Sequence, residues 1–161
     1  VCMSNKTTDI CDQFSERLRI AAPIFSDYGG RKQLAGKVTT VKVFEDNSLV
    51  RAALEEPGEG RVLVVDGGGS MRCALLGDQL AAMAQCNGWA GVVVYGCIRD
   101  SADIARIDLG VKALQTHPLR SVKKGVGERD VPVTFAGITI RPGDYLYADE
   151  DGVVVADEQL V

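Results

Sequence analysis

Two short stretches carry the side chains best suited to chemistry: Gly77-Asp78-Gln79-Leu80 and Arg99-Asp100-Ser101-Ala102-Asp103, with twenty-one residues between Gly77 and Arg99. A guanidinium is a permanently charged planar fork that matches a carboxylate or an enolate oxygen. Asp100, with Asp103 or Asp78 acting through waters, supplies hard oxygen ligands suited to Mg²⁺ or Mn²⁺, ions that keep several waters. At a helix N-terminus, free amides of Gln79 and Leu80 would receive a substrate carboxylate. Proton transfer would go through metal-bound water, with Asp78 or Asp103 as the nearest acids in sequence and nothing in the spacing to choose between them, and no lysine is placed for a Schiff base. A structural alternative uses the same residues. Asp78 and Asp100 would cap helices, Asp103 would be a first-turn acid favoured by the helix dipole, and Arg99 would be their surface partner. Spacing alone favours that alternative.

These stretches need elements to hold them. Val62 to Val65 and Val92 to Tyr95 are continuously apolar, the pattern of buried parallel strands. Between them Asp78 to Asn87 is rich in helix formers, opens on a capping Asp and is followed by Gly88 as a stop. The result is a βαβ crossover whose loop–helix junctions face one pocket at the strand C-termini if the strands are neighbours. Lys37 to Phe44 alternates, as a half-buried strand does. Helices are expected at about Asn47 to Glu55 and Ser101 to Ile107. Later strands are expected at Val131 to Phe135, Ile138 to Ile140, Tyr145 to Ala148 and Val153 to Val155, separated by turns at Pro142-Gly143-Asp144 and Asp149 to Gly152. The chain is therefore α/β, β-rich at both ends around a central βαβ, with no repeat or linker.

Composition removes whole classes of function. The chain has 161 residues with 18 basic and 22 acidic side chains, a net charge of −4, and 46% hydrophobic residues, which suits one folded domain spanning residues 1–161. An acidic balance without a basic stripe argues against direct nucleic-acid binding. No apolar run reaches membrane-spanning length, and the opening Val1 to Asp9 is polar, so a cytoplasmic protein is expected. Five cysteines, Cys2, Cys11, Cys73, Cys86 and Cys97, at irregular spacing with a single histidine fit neither a disulfide framework nor a zinc site, and read as small buried hydrophobes. His117 reads as a loop side chain, Trp89 as core or interface, and the Lys123-Lys124 loop as a solvated face. Gly67-Gly68-Gly69 follows a strand, as a methyl-donor or dinucleotide loop would, but lacks the G-x-G-x-x-G spacing and an immediate helix.

Several separated runs together resemble the RraA family, named for regulator of ribonuclease E activity A, and the related 4-hydroxy-4-methyl-2-oxoglutarate aldolases. They are Phe25-Ser26-Asp27-Tyr28-Gly29-Gly30-Arg31, Val43-Phe44-Glu45-Asp46-Asn47, Val62 to Ser70, Leu76-Gly77-Asp78, Gly96-Cys97-Ile98-Arg99-Asp100 and Tyr147-Ala148-Asp149, and the likeness covers about residues 8 to 156. It implies an RraA-like swivelling β/β/α layered domain forming a homotrimer, or a hexamer of paired trimers, with pockets between subunits. It also implies a lyase that splits 4-hydroxy-4-methyl-2-oxoglutarate into two pyruvates and decarboxylates oxaloacetate, using a divalent metal. The family's aldolase pattern is a glycine, some twenty residues, Arg-Asp, two residues, then Asp or Glu. Gly77, Arg99, Asp100 and Asp103 match it. The resemblance then implies that Gly77, Asp78, Gln79 and Leu80 contact substrate, Arg99 binds it, and Asp100 lies at the metal. A second implied function is non-catalytic: binding and inhibiting ribonuclease E.

Overall fold

The valine-rich runs form the middle of one curled sheet. The computed structural model describes residues 4–161, and Val1, Cys2 and Met3 lie outside that range. In chain order come α1 (Thr7–Phe14), a 3₁₀ turn (Ser15–Arg17), β1 (Arg19–Ile20), β2 (Ser26–Asp27), β3 (Leu34–Lys42), α2 (Ser48–Leu54), β4 (Val62–Asp66), β5 (Ala74–Leu76) and α3 (Asp78–Cys86). Then follow β6 (Gly91–Ile98), α4 (Ser101–Ile104), β7 (Gly110–Thr116), β8 (Glu128–Arg129), β9 (Val133–Phe135), β10 (Ile138–Ile140), β11 (Tyr145–Asp149) and β12 (Gly152–Ala156). Eight strands run in the order β1-β12-β11-β3-β4-β6-β7-β2, with β5 beside β6 and β8 beside β3, while β9 and β10 pair as a separate hairpin.

The expected βαβ unit is present: β4 and β6 are parallel neighbours, Val62 opposite Gly91 through Asp66 opposite Tyr95. Alternation along β4 sends Leu63 and Val65 into a core shared with α2, α3 and α4. Val62 and Val64 enter a second core, shared with Val133, Phe135, Ile138 and Ile140 of the hairpin. Hairpin, sheet and helices are thus the three layers of a β/β/α arrangement. Burial on both faces is what produced the unbroken apolar runs.

Several boundaries differ from the sequence expectation. The strand expected at Lys37 to Phe44 starts earlier and ends at Lys42, and from Val38 to Val41 it is buried on both faces, Val41 in the helix-side core and Val38 in the hairpin-side core. The helix expected to Ile107 ends at Ile104, after which Ile107 N–H turns back to the Ile104 carbonyl at 3.0 Å. Asp78 is not a cap: Gly77 holds the N-cap position of α3, with no side-chain cap, and Asp78 is the first helical residue. The strands β5 and β7 and the helix α1 were not anticipated. Among the described residues, no helix is long and apolar enough to cross a membrane.

Candidate active site

The strand β5 joins the two chemical stretches. It runs parallel to β6, with Ala74 opposite Cys97 and Leu76 opposite Ile98, and the Arg99 N–H donates to the Leu76 carbonyl at 2.9 Å. The end of β6 therefore lies beside Gly77, where α3 begins. Asp100 then takes a left-handed conformation, φ +57, which Asp tolerates better than most residues. That turn returns its carboxylate to the start of the earlier helix. Asp100 Oδ2 accepts the Asp78 N–H at 3.2 Å and lies 4.0 Å from Arg99 Nε. Asp100 occupies the N-cap position of its own helix α4 without a side-chain cap there; the helix start its carboxylate does bond is that of α3. Gly77 is required by closeness rather than by φ: a Cβ there would stand 3.0 Å from Asp100 Oδ2 and 3.5 Å from Arg99 Nε.

Gly77, Asp78, Gln79, Leu80, Arg99 and Asp100 all line one open cleft of about 310 Å³. Arg99 and Asp100 are each about two-fifths exposed within it, 40% and 38% by side chain, so both are accessible to a ligand. The Asp78 carboxyl is pushed above its ordinary value, first by sharing a proton with Asp100, then by burial and by the Asp100 charge, against the opposing Gln79 N–H. Two carboxylates forced together resist double ionisation. The Gln79 amide is thus already drawn toward Asp78, and the Leu80 N–H is the one left by helix geometry for a substrate.

No group of three or more His, Cys, Asp or Glu side chains suited to hold a metal ion occurs among the described residues. What the cleft offers is a pair of hard carboxylates whose mutual repulsion a divalent cation would relieve, beside space for waters and substrate oxygens. That donor set fits Mg²⁺ or Mn²⁺, which bind through one or two carboxylates and keep waters, and does not fit a thiophilic metal.

The remaining candidates sit elsewhere. Asp103 is exposed in the first turn of α4 and does not line the cleft. His117 staples its own loop, its N–H on the Ile98 carbonyl and its Nδ1 accepting the Leu119 N–H at 3.1 Å. Trp89 is core, with Nε1 donating to the Glu56 carbonyl. Cys73 and Cys97 are buried and Cys11 half-buried as expected, whereas Cys86 is exposed on α3, and Cys2 lies outside the described residues. Gly67, Gly68 and Gly69 form a tight turn followed by β5 rather than a helix. A Cβ on Gly67 would meet Leu75 at 2.5 Å and the Tyr95 carbonyl oxygen at 2.8 Å.

The sequence reading missed the second wall. Asn47 and Arg51 from the start of α2, and Arg120, Ser121 and Lys123 from the segment after β7, complete the cleft lining. The run Phe44-Glu45-Asp46-Asn47 was visible, yet only the fold brings residue 47 beside residue 121: the Asn47 N–H donates to Ser121 Oγ at 3.2 Å.

A family model described as RraA-like: Aldolase/RraA matches residues 7–155. A protein of Alkalilimnicola ehrlichii, provisionally named 4-hydroxy-4-methyl-2-oxoglutarate aldolase, is 74% identical over 159 residues, 99% of each chain. A crystal structure described as S-adenosylmethionine: 2-dimethylmenaquinone methyltransferase from Geobacillus kaustophilus superposes with a TM-score of 0.95 at 54% identity, covering 96% of both chains. The RNA-processing inhibitor RraA from Thermus thermophilis gives 0.95 at 47%, covering 99% of this chain and 96% of that one. Three different activities are named on one fold, so the choice among them rests on the cleft.

Proposed function

The chain belongs to the RraA-like family, and on that premise we propose that it is a divalent-metal-dependent lyase. It cleaves 4-hydroxy-4-methyl-2-oxoglutarate to two pyruvates and decarboxylates oxaloacetate. Both reactions break the C3–C4 bond of a 2-oxo acid and leave the same pyruvate enolate. The observation that carries this reading is the convergence of Arg99, Asp100, Asp78 and the start of α3 in one open cleft. The name of the Alkalilimnicola relative supports it.

Asp100 is the residue that would hold Mg²⁺ or Mn²⁺, with waters completing the shell. Such a cation supplies Lewis-acid stabilisation of charge on the 2-oxo oxygen. Arg99 and the Leu80 N–H bind and orient the substrate carboxylate, and the guanidinium neutralises the enolate as it forms. Aldol cleavage removes a proton from the C4 hydroxyl and delivers one to the enolate carbon. Asp78 is the group for that transfer: as the carboxylate it takes the C4 hydroxyl proton, for which it is a stronger base than an ordinary carboxylate, and it then gives that proton to the enolate carbon; it lines the cleft, whereas Asp103 lies outside. Gly77 keeps a Cβ out of the space between these groups.

The test is pyruvate formation from oxaloacetate with Mg²⁺, corrected for the protein-free rate. Chelation with EDTA and Asp100→Ala should each lower the rate by about 100-fold or more. A rate indifferent to both would overturn the mechanism. The working form in this reading is a homotrimer, or paired trimers. Phe44 and Val126, 59% and 64% exposed, share an open concavity of about 350 Å³ that a second copy would cover. A monomeric mass by light scattering would count against it. A second reading, a non-catalytic inhibitor that binds ribonuclease E, is favoured by the likeness to the Thermus protein. It needs no metal, and absent turnover combined with tight ribonuclease E binding would select it.

A further inference from the structure

A second group of ligating side chains lies outside the cleft and is its chemical opposite, soft where the cleft is hard. Met71, Cys73 and Cys97 sit where the chain enters β5 beside the end of β6, and none of them lines the cleft. Cys97 is 1% exposed, and its thiol donates to Met71 Sδ across 3.4 Å. Met71 is 49% exposed. A flexible side chain that open to solvent is free to turn away, yet its sulfur rests on the buried thiol. Cys73 completes the group. It directly precedes Ala74, which stands opposite Cys97 in the β5–β6 pairing. Burial first, then the charges of Glu45 and Cys97, push the Cys73 thiol up, so the two thiols are close enough to sense one another. Burial alone pushes Cys97 up. Thiols held protonated in this way are poor nucleophiles, which argues against peroxide chemistry, whereas a thiophilic cation binds by displacing the proton.

The segment presenting Met71 and Cys73 is fastened at both ends. Ser70 Oγ donates to Glu45 Oε2 at 2.6 Å and accepts the Arg72 N–H at 3.2 Å. Arg72 grips both oxygens of the same carboxylate, Nε at 2.6 Å and Nη2 at 2.9 Å. Beyond Cys73, the Ala74 N–H donates to the Leu119 carbonyl at 2.7 Å. Ligands set in place beforehand lower the ordering cost of binding. Two thiolates and a thioether fall short of the four ligands zinc takes and offer no oxygen to Mg²⁺, but they suit Cu⁺. The Arg72 guanidinium, which opposes the rise of the Cys73 thiol, offsets the negative charge that two thiolates leave around a monovalent ion.

We propose that Cys97, Cys73 and Met71 form a binding site for the soft monovalent cation Cu⁺, separate from the lyase centre. Binding breaks two S–H bonds and forms two bonds from thiolate sulfur to copper, with the thioether as third ligand. Both protons leave to solvent, and no electron is transferred. The bound ion ties the entry of β5 to β6 two residues ahead of Arg99.

The test is anaerobic competition with bicinchoninate for Cu⁺, on the full chain with Cys2, Cys11 and Cys86 changed to Ser so that no other thiol competes. One Cu⁺ per chain should transfer to the protein, with an ultraviolet thiolate-to-copper absorption and a raised melting temperature. Met71→Leu keeps the apolar bulk and should weaken Cu⁺ binding by about tenfold. Cys97→Ala and Cys73→Ala should each weaken it by about 100-fold or more and abolish the absorption, with native far-ultraviolet spectra. Asp100→Ala should bind Cu⁺ as tightly as its parent. Should either Cys→Ala variant not fold, Met71→Leu still decides, because the position is exposed. No transfer of Cu⁺ from the chelator overturns the proposal, and so does unchanged affinity in any of the three sulfur variants. Loss of Cu⁺ binding in Asp100→Ala overturns it too, since the ion would then sit in the cleft.

Discussion

At the scale of single residues, the cleft depends on a missing side chain as much as on the charged ones. Gly77 has an ordinary φ of −121, so Ala is conformationally acceptable there. Its Cβ, however, would sit 3.0 Å from Asp100 Oδ2, tighter than normal contact, and the yielding partner would be the carboxylate. Moving it by a few tenths of an ångström weakens the bond to the Asp78 N–H and shifts the proposed metal ligand. Gly77→Ala should therefore cost about 1 kcal/mol of stability, since Ala is a poorer N-cap residue than Gly. It should lower kcat for oxaloacetate by about tenfold or more, because catalytic groups tolerate little displacement. A thermal melt beside a coupled pyruvate assay checks both halves. A fall in stability with unchanged kcat would mean that Asp100 is only a fastening for α3. Arg99→Lys should cost a comparable factor, since an ammonium cannot replace the planar fork.

At the scale of elements, buried Asp46 fastens the start of α2 to the segment after β7, Oδ1 accepting the Ser48 N–H and hydroxyl and Oδ2 the N–H groups of Lys124 and Val126, and this latch makes a stability prediction independent of activity. Burial opposes ionisation of Asp46, but the bonds from the Ser48 hydroxyl and from the N–H groups of Ser48, Val126 and Lys124 outweigh it and hold the carboxyl down to about 2, against 3.8 for the free group. The folded-state value lies below the unfolded one, so the stabilisation is complete above pH 3.8 and is lost as pH falls through about 2. It amounts to about 2 kcal/mol. In urea unfolding, the gap between wild type and Asp46→Asn should thus be about 2 kcal/mol wider at pH 7 than at pH 2. A pH-independent gap would exclude an ionised latch. These elements also show what the sequence could and could not reveal. The βαβ unit was legible because β4 and β6 are buried on both faces, which writes an unbroken apolar run. The strand β5 was not, because Ala74-Leu75-Leu76 is too short to show a period and sits against a glycine turn. Asp78 looked like a cap because Asp is a favoured capping residue. Gly77 holds that position instead, with Asp100, twenty-three positions later, packed so close that a Cβ there would crowd its carboxylate. The second wall was illegible for a related reason, since Lys123 in a charged loop has the composition of a solvated face and only the fold sets that loop beside Asn47 in the cleft lining.

At the scale of the whole molecule, the site relies on a sheet that curls until its two sides nearly meet. Three strands separate β11 from β7, yet Lys112 of β7 reaches the Asp149 carbonyl at the end of β11. Lys112 pairs in register with Val93, whose side chain lies in the hairpin-side core, so the lysine points into the concave face. There its Nζ lies 3.1 Å from Asp27 Oδ1, with the lysine side chain 3% exposed. Asp149 in turn accepts the Thr7 N–H at 2.8 Å and hydroxyl at 2.7 Å, which ties α1 to the same closure. Removing one member of a buried ion pair strands the other charge and costs about 3 kcal/mol or more. Lys112→Met should accordingly lower the melting temperature by roughly 10 °C for a chain of this size. Pairing it with Asp27→Leu removes both charges and should recover part of that loss, since apolar pairs often replace buried ion pairs without penalty. Because Lys112 and Asp27 are not among the residues lining the cleft, kcat at low temperature should be retained in both variants. If Lys112→Met melts within about 2 °C of wild type, the curl is held by the strand ladders and the two cores alone, and the lysine closes nothing.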